Sequence, residues 1–101
     1  MKGYIYNVTV SADASAARDV SYYIQHKLFP LWQEREGWQS ARLLVIPTPK
    51  EDGCSLAMQF ELASLDLLKD FCLEEDALVQ RVQEVYGDKV LFYPTLMEVI
   101  G

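Results

Sequence analysis

Five polar side chains on the predicted strands are the strongest candidates for a binding site. Successive side chains of a strand point to opposite faces of a sheet, and the alternation along each predicted strand places these five on the same face. Convergent polar groups in an otherwise apolar cavity are typical of small-molecule sites. The candidate ligand-binding residues are Asn7, Arg42, Gln59, Glu61 and Tyr93. The alternative is that Arg42 pairs with Glu61 and that the others form hydrogen bonds across an interface between two copies of the chain.

The only histidine, His26, is the candidate for proton transfer, because the pKa of an imidazole lies near neutrality. The sequence shows no partner residues for general acid–base work around it, so a surface or helix-kink histidine is the alternative. Cys54 and Cys72 are expected to be free structural thiols, because they accompany apolar faces and are too few for a disulfide framework. One histidine, two distant cysteines and scattered glycines predict no metal site and no cofactor.

The composition predicts one globular domain over residues 1–101, since half of the chain is hydrophobic and 24% is charged. The formal net charge is −6, and residues 64–88 carry two basic and seven acidic side chains. We interpret this segment as a solvated helix face, with an acidic interaction module as the alternative. An acidic surface repels phosphate backbones and excludes nucleic acid as a partner. Without an apolar run of about 20 residues or a signal segment, the expected location is cytoplasmic, with no membrane contact.

Hydrophobic periodicity predicts the element order β-α-β-β-α-β. The predicted strands cover 4–10, 38–46, 54–62 and 90–99, and the predicted helices cover 16–34 and 64–86. Pro30 has no N–H for the carbonyl of His26, which predicts a kink or break near 26–29. Asp76 could start a second helical piece as its own cap, and Pro94 favours an edge position for the last strand. The buried stripes are expected to be Ala17, Val20, Ile24, Leu28 and Leu31 in the first helix, and Leu68, Phe71, Leu78, Val82 and Val85 in the second.

This order is that of a ferredoxin-like α+β fold, a four-stranded antiparallel sheet with both helices on one face. The other face would remain uncovered, and its apolar members would be costly in water. A second copy could cover it, which predicts a homodimer in the form of a dimeric α/β barrel. The expected members of the uncovered face are Ile5, Asn7, Thr9, Trp38, Ser40, Arg42, Leu44, Ser55, Ala57, Gln59, Glu61, Leu91, Tyr93, Thr95 and Met97.

Short motifs at both ends of the chain resemble a known family. Residues 4–10 are similar to the Ile-Tyr-Asn-Val-Thr start of a small bacterial family that is a domain of unknown function. Residues 86–89 and 95–98 look like its Phe-Gly-Asp-Lys and Thr-Leu-Leu-Glu segments. The resemblance implies a ferredoxin-like dimeric barrel and no activity. Its His-Ile-Pro segment aligns with Leu28-Phe29-Pro30, so a role of the family histidine does not transfer to Leu28, and His26 lies about 200° away around a helix.

Two functions are compatible with this sequence. The first is a homodimeric barrel that binds a small ligand or a protein partner without catalysis. The second is a cofactor-independent enzyme of the monooxygenase or isomerase kind, a reading that rests on fold analogy. In that enzyme Arg42 would hold an anionic substrate, and Tyr93 or His26 would move a proton.

Overall fold

Four strands form one antiparallel sheet in the computed structural model, which describes residues 3–47 and 53–101. The order across the sheet is β2-β3-β1-β4. The predicted edge position of β4, the strand that carries Pro94, is therefore confirmed. The predicted strand stop at 47–49 and turn at 50–53 lie largely outside the described residues. The strands are β1 (Tyr4–Asp13), β2 (Gln39–Ile46), β3 (Gly53–Leu62) and β4 (Val90–Glu98).

Helices cover one face of this sheet. α1 (Ala14–Tyr23) follows β1 directly, because the Asp13 carboxylate accepts a hydrogen bond from the backbone N–H of Ser15 and caps the helix. A π-helical segment (Ile24–Leu28) and the short α2 (Phe29–Trp32) continue it, and α3 (Ala77–Tyr86) lies before β4. The protein is thus α+β, with its core between the sheet and the helices. Among the described residues, no helix combines the length and the apolar character needed to cross a membrane.

The π segment compensates for a mismatch between the α-helical repeat and the spacing of the buried residues. Five of the six buried residues from α1 to α2 recur at every fourth position, and Phe29 is the sixth. Four residues turn an α-helix by about 400° and overshoot one full turn by about 40°. The N–H of Phe29 donates to the carbonyl of Ile24, five residues earlier, so this turn is wider and takes up part of the overshoot. The interruption expected from Pro30 is present as this π segment. The recurring buried residues are Ala16, Val20, Ile24, Leu28 and Trp32.

The prediction that Leu31 is buried is wrong, because this side chain is 50% exposed. Regular α-helical spacing after Leu28 would bury residue 31. The wide turn shifts the inward position by one residue, so Trp32 enters the core and Leu31 faces outward.

The prediction of a helix over 64–86 is wrong in its first half, whereas the alternative of a helical piece that starts at Asp76 is confirmed. Residues Leu65–Leu68 and Leu73–Glu75 form two separate 3-10 turns, and the α-helix begins after Asp76. Asp76 caps α3 as predicted, since its carboxylate accepts from the N–H groups of Leu78 and Val79. Phe71 and Leu73 of the stretch before it still pack against the core, but from two short turns and the segment between them rather than from one helix. Within α3 the predicted burial of Val85 is also wrong, because Val85 is 63% exposed and Val79 is buried in its place.

A cluster of five aromatic side chains fills one end of the core. Trp38 lies at its centre, 5.3 Å from the ring of Phe60 and 4.9 Å from that of Phe71 between centroids. The Arg35 guanidinium carbon lies 5.0 Å from the Trp38 ring centroid and covers the cluster from outside. We call this set the aromatic cluster; its members are Tyr6, Trp32, Trp38, Phe60 and Phe71.

The prediction that Trp38 lies on the uncovered face with Arg42 is wrong. Trp38 is 3% exposed and precedes β2, which begins at Gln39. Between Gln39 and Arg42, β2 advances three residues while the facing part of β3 advances two. Ser40 has a φ of 56° within this bulge. The extra residue reverses the alternation before Arg42 and directs Trp38 into the core.

Candidate functional site

The face of the sheet turned away from the helices, here called the open face, carries the sequence-predicted site. The pairing registers of the strands arrange its side chains in straight rows across the sheet, because directly paired residues point to the same side. One row contains Arg42, Gln59, Asn7 and Thr95 in the order of the strands. The open face comprises Ile5, Asn7, Thr9 and Ser11 of β1, Gln39, Arg42, Leu44 and Ile46 of β2, Ser55, Ala57, Gln59 and Glu61 of β3, and Leu91, Tyr93, Thr95 and Met97 of β4.

Three of the five predicted site residues form one chain of hydrogen bonds. Arg42 Nη2 donates to Gln59 Oε1 at 3.2 Å, and Gln59 Nε2 donates to Asn7 Oδ1 at 3.1 Å. Asn7 Nδ2 then donates to Thr9 Oγ1 at 3.2 Å. Each amide therefore uses its oxygen as an acceptor and its nitrogen as a donor, which fixes the orientation of both groups. We call these four residues the polar network.

The two ends of the polar network differ in their exposure to solvent. Asn7 is 8% exposed although it lies on the open face, because β1 is central in the sheet and its neighbours enclose it. A buried amide needs hydrogen-bond partners, and Gln59 and Thr9 supply them. Arg42, on the edge strand β2, is exposed and presents its remaining N–H groups to solvent. The network thus runs from a buried amide to an exposed cation.

Glu61 and Tyr93 lie on the open face in the neighbouring rows. Glu61 pairs in register with Ile5, and Tyr93 pairs with Thr9 and is 52% exposed. Within the described residues the Arg42 guanidinium donates to Gln59, whereas the alternative of a pair with Glu61 inside one chain has no contact to support it. The charged groups of opposite sign therefore remain available on the same face.

Apolar side chains surround the polar network on the open face. Leu44 pairs with Ala57 in the row next to the network, and Leu91 pairs with Ser11 one row further. These side chains are between 38% and 40% exposed, so the face is a partly apolar surface in contact with water. The exposed apolar side chains of the open face are Leu44, Ile46, Leu91 and Met97.

His26 is not brought to the open face. It lies in the π segment on the helix side of the sheet, where its ring stacks on Tyr22 with centroids 4.2 Å apart. The sheet separates it from Arg42, so the two residues do not form one site. Of the residues considered for proton transfer, Tyr93 lies on the same face as Arg42.

The two cysteines are separate free thiols. Cys54 is half-buried and pairs with Ala12 on the helix side of β3, while Cys72 is exposed before a 3-10 turn. Among residues 3–47 and 53–101, no three His, Cys, Asp or Glu side chains converge as a metal-binding group would require.

Sequence reasoning missed Thr9 as a member of the site. It predicted Thr9 on the same face as Asn7, and the signal that could have added it was the spacing of two residues along one strand. That spacing brings the Thr9 hydroxyl within reach of the Asn7 amide.

Comparison with known proteins gives a family without a defined activity. No curated protein is significantly similar to the chain. The profile of the family DUF4286, described as a domain of unknown function, matches residues 3–100. This match confirms the resemblance to a family of unknown function that the end motifs indicated. The chain therefore belongs to the domain-of-unknown-function family DUF4286.

Proposed function

We propose that this protein is a ferredoxin-like subunit of a homodimeric α/β barrel, whose two open faces enclose a small anionic ligand. The observation that carries the proposal is the polar network of Asn7, Gln59, Arg42 and Thr9 crossing a partly apolar, exposed sheet face. The strand order β2-β3-β1-β4 with helices on one side supports the fold. Binding rather than catalysis is favoured, because His26 lies on the other side of the sheet.

The size of the open face supports a second copy as its cover. Four strands about 4.8 Å apart and eight to ten residues long, with about 3.4 Å per residue, present roughly 600 Å². Two such faces would bury about 1,200 Å², which is at the lower end of the range of specific, stable interfaces.

Charge supports self-association as well. A two-fold interface brings the same patch of both copies together, so a face must complement itself. The open face carries Arg42 on β2 and Glu61 on the neighbouring β3, and Arg42 does not use Glu61 within one chain. In a two-fold pair, Arg42 of one copy can face Glu61 of the other, and each face then supplies both charges of the two ion pairs.

The polar network indicates the chemistry of the ligand. A guanidinium has five N–H donors in a planar fork that matches carboxylate and phosphate oxygens. Arg42 uses Nη2 toward Gln59, and this bond orients the rest of the fork over the open face. We therefore propose a small ligand with a carboxylate or phosphate group, held by Arg42 beside the apolar side chains.

Light scattering coupled to gel filtration tests the dimer. We expect a mass of twice 11.6 kDa for the wild-type chain at micromolar concentration. Leu44→Lys places a charge on the open face and should yield monomers, because a buried lysine without a partner is costly. Leu65→Lys, at a similarly exposed position outside the open face, is the matched control and should remain dimeric. A monomeric wild-type protein would refute the dimer.

A thermal-shift screen of small carboxylates and phosphates tests the ligand. A bound ligand stabilises the folded state, so at least one compound should raise the Tm of the wild-type protein. Arg42→Gln should abolish that shift, and Arg18→Gln, an exposed cation on α1, should leave it intact. A screen without any stabilising anion, or a shift that survives Arg42→Gln, would count against the proposed ligand class.

A further inference from the structure

A second cleft lies on the helix side of the sheet, away from the open face. It has a volume of about 370 Å³ and lies between the helical segment of residues 14–28 and α3. This volume falls at the lower end of the range for small-molecule pockets. Its surface is mainly apolar. The cleft is lined by Asp19, Tyr22, Tyr23, Lys27, Arg81, Val82, Val85 and Tyr86.

The net charge of this cleft, with two cations and one carboxylate, is opposite in sign to that of the chain as a whole. Lys27 in the π segment and Arg81 on α3 line it from its two walls, in a chain with a net charge of −6. Among the described residues, neither cation has a carboxylate oxygen within 4.0 Å. The one acidic residue of the cleft, Asp19, accepts a hydrogen bond from the Tyr86 hydroxyl at 3.4 Å. The two cations therefore remain available to an anion.

The π segment shapes this cleft. Helices with one wide turn recur at functional sites, because the extra residue redirects the side chains around it. Here the wide turn contains both Lys27 and His26, and the His26 ring stacks on Tyr22 at the rim of the cleft. Tyr22 and Val85 are each 63% exposed and stand on opposite walls, so an apolar group between them would be sheltered from water from both sides.

We propose that this cleft binds a small aromatic carboxylate, with its ring between Tyr22 and Val85 and its carboxylate between Lys27 and Arg81. The aromatic body fits the apolar lining and the tyrosine rings, and the acid group fits the two unpaired cations. The site is independent of the open face, because the sheet lies between them.

Titration with 1-naphthoate, followed by amide chemical shifts in NMR spectra, tests this site. We expect saturable shifts for the backbone amides of Tyr22, Lys27, Arg81 and Val85. The cationic isostere 1-naphthylmethylamine should bind at least about tenfold more weakly, since it meets Lys27 and Arg81 with the same sign of charge. Equal binding of both compounds, shifts confined to the open face, or no saturation would each overturn the proposal.

Two charge-removing variants complete the test. Lys27→Gln and Arg81→Gln should each weaken naphthoate binding about tenfold, the effect expected of one charge-assisted hydrogen bond. Both side chains are exposed, so the fold should tolerate their replacement. Arg18→Gln, one helix position from the cleft residue Asp19, is the matched control and should bind like the wild type. An equal loss of affinity in Arg18→Gln would show that binding depends only on the net charge of the protein, and it would refute a specific site.

Discussion

The indole Nε1 of Trp32 donates a hydrogen bond of 3.1 Å to Oδ1 of Asp76, 44 residues later in the chain. The other oxygen of the same carboxylate accepts from the N–H groups of Leu78 and Val79 and caps α3. The Asp76 side chain thus caps the start of α3 and also accepts the hydrogen bond of the buried Trp32 indole at the end of α2. The two halves of the helix side are joined at this residue.

Asp76→Ala should destabilise the protein by about 2 kcal/mol or more, since it removes a helix cap and leaves a buried indole N–H without a partner. Urea denaturation followed by circular dichroism measures the change. Glu75→Ala, the exposed neighbour, is the control and should change stability by less than about 0.5 kcal/mol. Equal effects of the two variants would contradict the joint role of Asp76.

Trp38→Ala should cost about 3–5 kcal/mol, because it empties the centre of the aromatic cluster. Residual stability after the substitution is measured by denaturant unfolding. Tyr22→Ala removes an aromatic ring that is 63% exposed and should cost less than about 1 kcal/mol. A small effect of Trp38→Ala would instead match the strict alternation of β2, with Trp38 on the open face.

Ser40→Gly should stabilise the protein by about 0.5 kcal/mol, because glycine removes the steric cost of a positive φ and offsets its own loss of backbone entropy. Ser40 is exposed with a φ of 56°. The midpoint of thermal unfolding reports the change. Ser55→Gly, at an extended position of β3, should move the midpoint in the opposite direction. Destabilisation by both variants would show that the bulge gains nothing from glycine.

Because of Tyr6, the free energy of unfolding should decrease at high pH. Burial, with smaller contributions from Cys72 and Asp76, raises the pKa of Tyr6 from 10.0 to about 12. Since the unfolded chain releases this proton first, the contribution of Tyr6 is fully present below pH 10.0 and is lost as the pH rises toward about 12.

Unfolding free energies measured across that pH range should therefore fall for the wild type and fall less steeply for Tyr6→Phe. The decline should be reduced rather than abolished, because burial also raises the pKa values of Tyr23 and Tyr86. Parallel slopes for the wild type and Tyr6→Phe would contradict the assignment to Tyr6.

Gln59→Ala should destabilise the protein by about 1–3 kcal/mol, because it leaves the carbonyl of the buried Asn7 amide without its donor. Gln83→Ala, at an exposed position of α3 outside the open face, should have less than half that effect. Chemical denaturation at a fixed protein concentration compares the two. Similar values would show that the polar network contributes little beyond strand packing.

Local periodicity was sufficient to predict the central strands. β1 and β3 alternate without interruption, so their faces followed from the sequence, including the common face of Asn7 and Gln59. The length of β3 was predicted to within one residue, whereas β1 continues three residues beyond the predicted end, to Asp13. Asp76 and Ser64 each cap the start of a helical segment with their own side chain, and both caps were predicted from residue type and position. Features that depend on one stretch of chain were predictable.

Features that depend on contacts between distant parts of the chain were not predictable from the sequence. The aromatic cluster draws Trp38 inward from a position that strand alternation assigns outward, and the bulge at Ser40 accommodates this. Trp32 enters the same cluster by way of the π segment, against the regular helical spacing that favours Leu31. For the site, alternation predicted which residues share a face, but it does not specify that Arg42 bonds to Gln59 rather than to Glu61.

The π segment can be regarded as a single inserted residue within an otherwise regular helix. A chain one residue shorter between Ile24 and Leu28 could form ordinary α-helical turns throughout, but everything beyond the deletion would rotate by about 100°. Trp32 would then point away from Asp76, and the cap of α3 would lose the group that ties it to the first helix. The length of this stretch is therefore constrained more tightly than its amino-acid types.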